Sequence, residues 1–272
     1  MIKELTNLSP AEILLIDNPE VKVDKLARVT FFDLILKEVL KIEVDPKAKN
    51  KEKKNPTIIT GKAFSSYESL KHESIFLSVF TRDNELKIKL SNLLKTAFEK
   101  VKSSEEYKLK YVYSDKRMKQ YFKSNFIQKL LGIKVISENG IKIQKEIKRE
   151  LRRIKTNTTK KNTKIVETLL ALNGNIVLIP KIPIEIFEQI EKKKLNFRKE
   201  NSDSIWVDYG YSSLYYYNTT KNQFDLMAIN DSDFMPIIES VNGFDDSSGD
   251  SGCGSDGGCG GCGGCGGCGG CG

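Results

Sequence analysis

The residues best equipped for chemistry are six cysteines, and all of them fall in the last twenty residues of the 272-residue chain. Cys253 and Cys259 open the stretch, and a Gly-Gly-Cys triplet then places Cys262, Cys265, Cys268 and Cys271 three residues apart. Thiolates bind soft and borderline metals, and Cys-x-x-Cys spacing lets two sulfurs reach one ion. Zinc or copper(I) is therefore the metal expected on these six residues, and no other cofactor is implied. A backbone with three residues per turn would also line the triplet cysteines along one edge. Glycine on both sides supplies no outer groups to orient the ligands. Ordering such a stretch costs on the order of 1–2 kcal/mol per residue. The expectation is a disordered tail, either with loose thiol chemistry (metal binding, redox exchange or covalent modification) or with no ligand, rather than a folded zinc site.

A second set of residues could bind anions. Residues 144–155 read as a helix with Ile147, Leu151 and Ile154 on one face and Lys145, Lys148, Arg149, Arg152 and Lys155 on the other. Such a face gains from counterion release on a nucleic acid and from attraction to an acidic membrane surface. A Lys/Arg run opposite an Ile/Leu stripe is also what any solvated helix face looks like. The lysine-rich loop 47–54, as the tip of a wing, could touch phosphates.

Enzymatic signatures are missing. His72 is the single histidine, it falls within an expected helix, and it reads as a surface or helix residue rather than a base. A lone histidine offers no Ser/His/Asp or Cys/His set. Neither a Gly-rich phosphate loop nor a His-Glu-x-x-His segment is present.

The elements that would carry these groups follow from pattern. Ser9-Pro10-Ala11-Glu12 is a capping-box helix start with proline at the first helical position. A second helix is expected over 24–40, then a strand at 42–44, and Thr57 to Thr60 closes a hairpin. The order returns: a start at Ser65-Ser66-Tyr67-Glu68, a helix over 84–101, a third over 114–131, and Ile133 to Ile136 before Asn139-Gly140 and Ile141 to Ile143. Asn-Gly between short β-branched runs predicts a second hairpin. Helices over 163–172 and 183–193 flank a strand at 176–179. Residues 201–250 crowd tryptophan and tyrosine among Ser, Asn and Asp with no regular period, and from Gly243 the composition cannot support a core. The expected fold is mainly α with small β-hairpins: winged-helix-like units at 1–64 and 65–155, a helical extension at 156–200, an acidic aromatic segment at 201–250, and the disordered tail at 251–272.

Composition bounds the rest. No window approaches the roughly 18 apolar residues of a membrane span, and the N-terminus makes a poor secretory signal. A cytoplasmic location is expected, where thiols stay reduced. The net charge of +8 hides a division, since residues 201–272 hold one lysine against ten acidic residues. The basic part calls for an anionic partner (nucleic acid, acidic protein or membrane surface) or for the acidic segment folding back on it.

With Leu8-Ser9-Pro10-Ala11-Glu12-Ile13, the helix–hairpin order after it and the Gly-Gly-Cys ending, the chain resembles a bacterial family pairing a small helical domain with a Gly/Ser/Cys tail. The likeness covers residues 8–155 plus the tail. It implies no known activity, and the membrane segment that many members carry between domain and tail has no counterpart here. The Pro10-to-Ile16 opening, Phe32 to Leu40 and the following hairpin are also similar to the Golgi phosphoprotein type of helical, winged-helix-like domain. That family binds phosphoinositide headgroups through a Trp and Arg set. The single tryptophan, Trp206, lies outside the similar region, so no binding residue is carried over. The tail is further similar to Gly-Cys tracts of precursors whose cysteines are cyclised to thiazoles. The combined expectation is a binding or adaptor protein whose tail presents thiols, with a winged-helix nucleic-acid binder or a modified-peptide precursor as alternatives.

Overall fold

The computed structural model describes residues 1–43, 55–124, 134–159, 164–179 and 231–241, together with Ile182, Ile186, Gln189, Ile190 and Lys193. After a single turn, α1 (Glu4–Asn7), the capping box forms as the sequence implies. Ser9 Oγ accepts from Glu12 N, Ser9 N donates to the Glu12 carboxylate, and Pro10 opens α2 (Pro10–Asp17). Helix α3 (Val23–Leu36) is buried on almost every side, Asp24, Thr30 and Asp33 included. It stops short of the expected end because Glu38 turns into positive φ (54°). That turn feeds β1 (Leu40–Glu43), where Leu40 and Ile42 face inward and Lys41 and Glu43 outward.

Strand β1 pairs antiparallel with β2 (Thr57–Thr60), Leu40 opposite Thr60 and Glu43 opposite Thr57. On the far side of β2 lies β3 (Ile88–Lys89), which gives a three-stranded sheet in the order β1-β2-β3. The sheet therefore joins residues on both sides of the expected 64/65 boundary. Between β2 and β3, the expected start at Ser65 is a 3₁₀ turn, and α4 (Lys71–Leu77) begins later, with Glu73 accepting from Leu70 N. Helix α5 (Leu90–Phe98) follows β3 directly, and α6 (Ser104–Glu106) continues into a π-helical stretch, Tyr107–Val112.

The second hairpin is not formed. Val135–Ile136 (β5) pairs instead with β4 (Phe122–Lys123), and Asn139-Gly140 lies in the first turn of α7 (Glu138–Thr159). The reason is a competing cap: Ser137 Oγ accepts from Gly140 N and Ile141 N donates to Ser137 O, which closes a helical start. A Cβ at position 140 would run into the Tyr121 carbonyl. Glycine serves close backbone approach there, not a hairpin turn. The strand expected at 176–179 is likewise a 3₁₀ stretch, Asn173–Leu178, following α8 (Ile165–Leu172).

One continuous core holds these elements. Phe31, Phe76, Phe80, Phe98 and Tyr107 are fully buried, with Phe76 edge-on to Phe98 and Phe98 against Tyr107. An unexpected contribution comes from α9 (Asp231–Glu239). It packs on α3 and α5, with Phe234 and Ile238 fully buried and Phe234 beside Phe31. Phe234, Ile238 and Val241 recur at helical spacing, so a period does exist inside the acidic aromatic segment.

Candidate functional site

The anion-binding residues all lie on α7. Ile143, Ile147 and Ile154 are buried on one side of it, against α2 and α8. The amide of Gln144 donates to the carbonyls of Ile16 (3.0 Å) and Asp17 (2.9 Å), satisfying groups that the end of α2 leaves open. With that face seated, Lys145, Lys148, Arg149, Arg152 and Lys155 all point to solvent. Among the described residues none of the five is ion-paired, whereas neighbouring Arg153 is held by Glu150 at 2.8 Å. Two of them lie near Asp17: burial raises its pKa, and Lys148, Lys25 and Arg152 pull it back. Positions 145, 148, 152 and 155 form a single stripe along about 15 Å of helix, with Arg149 beside it. The structure thus brings the five residues together on one exposed side of α7.

A second polar cluster is buried, and the sequence reading does not anticipate it. Glu12, fully buried, receives Arg117 Nη2 at 2.9 Å, while Arg117 also donates to Asn7 O and Asp115. Burial drives the Glu12 carboxyl up to about 7 although the guanidinium opposes it. His72, read as a surface or helix residue, is in helix α4 but 1 % exposed. Its Nε2 lies 3.0 Å from Ser9 Oγ, and burial lowers the imidazole to about 4, so it is neutral at physiological pH. Lys37 completes the cluster, donating to Asp33 (2.7 Å), Tyr67 OH (2.9 Å) and Glu73 (3.1 Å). Burial pushes Asp33 up to about 6. In Glu73 burial is again the largest effect, but Lys37, His72 and the Leu70 N–H together outweigh it and the pKa falls.

Ser9, Asp33, Lys37, Arg117 and the turn at Asn173–Asn175 border a small cavity of about 130 Å³. A serine beside a neutral histidine has the geometry of a nucleophile and its base. The third member is missing, however: His72 Nδ1 has no hydrogen-bond partner among the described residues, whereas an active base needs an orienting group there. Ser9 Oγ is also engaged as the cap of α2. These contacts fasten α2 to α4 and to the turn at Arg117. The signal that could have located His72 is the capping box itself, because a buried cap oxygen invites a polar neighbour.

The six cysteines and the loop 47–54 lie outside the described residues. Among the described residues no group of three or more His, Cys, Asp or Glu could hold a metal ion, and no helix is long and apolar enough to cross a membrane. No family model, curated protein or solved structure matches the chain.

Proposed function

We propose that this is a non-enzymatic binding or adaptor protein. Its folded body engages an anionic partner through Lys145, Lys148, Arg149, Arg152 and Lys155, and its Cys-Gly tail presents thiols to zinc or copper(I) in a reducing, cytoplasmic setting. The observation that carries the reading is the exposed, unpaired charge of α7 on a helix whose opposite face is fixed in the core. From Lys145 to Lys155 that stripe carries no carboxylate, the exposed Glu138 standing at its far N-terminal end. The β1–β2 hairpin following α3 is in keeping with a winged-helix-like arrangement at residues 1–64, which forms part of the proposal.

Heparin serves as a generic polyanion for the test. The full chain should be retained on immobilised heparin and elute with rising salt, as counterion release requires. Lys145→Glu, Arg149→Glu and Arg152→Glu together should abolish retention with the circular dichroism spectrum unchanged. Equal retention of the variant would end the reading of α7. For the tail, native mass spectrometry of protein from its source cell should show bound metal, and six free thiols with no metal would count against it.

A further inference from the structure

We infer that the partner of the α7 face is a bilayer rich in anionic phospholipid. This rests on the reading of that face as a partner site and goes further by naming the surface it meets. The observation is where exposed apolar side chains stand. Among the described residues the exposed large hydrophobics are Met1, Val135 and Ile141, the last two 37 % and 40 % exposed. Single exposed aliphatics are ordinary; their position here is not. Ile141 precedes Lys145 by four residues and Lys148 by seven, so it heads the same stripe that carries Lys145, Lys148, Arg152 and Lys155. Val135 lies in β5, the strand that leads into Ser137 and the start of α7.

A nucleic acid and a bilayer reward these side chains differently. Phosphates along a duplex are met by cations, and a branched aliphatic facing them gains nothing from charge neutralisation. At a membrane surface, anionic headgroups attract the Lys and Arg residues while apolar side chains enter the boundary between headgroup and acyl chain. The stripe from Ile141 to Lys155 is about 21 Å long. Its five cations are exposed and its rear is seated by the buried Ile143, Ile147 and Ile154, so it can lie on a surface. Ile141 and Val135 would then enter the interface at one end.

Cosedimentation of the full chain with vesicles tests this. It should pellet with phosphatidylcholine–phosphatidylserine vesicles, stay in solution with pure phosphatidylcholine, and be released by high salt. The combined Ile141→Ser and Val135→Ser variant should bind acidic vesicles about ten-fold more weakly while its heparin retention is unchanged. Heparin retention without vesicle binding would overturn the bilayer and leave the basic face standing. Tighter binding to duplex DNA than to acidic vesicles, insensitive to the two serines, would assign the face to nucleic acid instead. Loss of heparin and vesicle binding alike would refute both.

Discussion

Glu12 sits where two effects collide, and Glu12→Gln separates them. The carboxylate is fully buried and paired with Arg117 at 2.9 Å, yet burial outweighs the pairing and its pKa rises from 4.5 to about 7. The folded chain therefore keeps a proton on Glu12 up to about pH 7 that the unfolded chain releases near pH 4.5. Stability from this group is fully present below pH 4.5 and is lost as pH rises through 7. At about 1.4 kcal/mol per pH unit, that window is worth about 3 kcal/mol. Glutamine keeps an acceptor for Ser9 N but cannot ionise. Urea unfolding of both proteins followed by circular dichroism gives the difference at each pH. Relative to the wild type, the variant should gain about 3 kcal/mol between pH 4.5 and pH 8. A difference that stays flat, or that moves the other way, would show that Arg117 more than repays the desolvation of Glu12 and that the burial reasoning fails.

His72→Gln should flatten the acid limb of the stability profile. The imidazole titrates at about 4 instead of 6.5, so its contribution is present above pH 6.5 and is lost as pH falls through 4, about 3 kcal/mol in all. Acid titration followed by tryptophan-independent circular dichroism would report it. Phe234→Ala should cost about 3 kcal/mol and open residues 231–241 to fast amide exchange, because Phe234 is fully buried against Phe31. Deleting residues 251–272 should leave the melting temperature unchanged in a thermal shift assay; a large drop would show that the thiol tail is part of the core.

Local signals in the chain are readable where a single short-range preference governs them. Ser9-Pro10-Ala11-Glu12 specifies its helix start without help, and Thr57 to Thr60 is a strand at the expected bounds. The α7 charge face is legible for the same reason, since helical spacing alone sorts Lys and Arg from Ile. Failure comes where a nearby partner changes the choice. Asn139-Gly140 has the local chemistry of a hairpin, but the Ser137 cap and the approach of the Tyr121 carbonyl make it a helix turn. Ile88–Lys89 reads as helix and is drawn into a strand by β2. Phe234 and Ile238 have little meaning until the groove between α3 and α5 exists to receive them. The Ser9–His72 contact, spanning 63 positions, has no sequence signal beyond the buried cap.

The two clusters of charge also differ in what they can still do. Lys37 has three donors, and Asp33, Tyr67 and Glu73 take all three. Arg117 divides its fork among Glu12, Asp115 and the Asn7 carbonyl. A buried ion has to be satisfied this way, because each unmet bond in the interior costs about 1–3 kcal/mol. These bonds clamp α2, α3 and α4 in one arrangement. The cations of α7 are the converse: solvated, unpaired and fixed in direction by a helix that cannot roll. On the proposed reading, capacity for a partner lies on the outer stripe, and the buried cluster, its Ser–His pair included, holds together the elements on which that stripe is mounted.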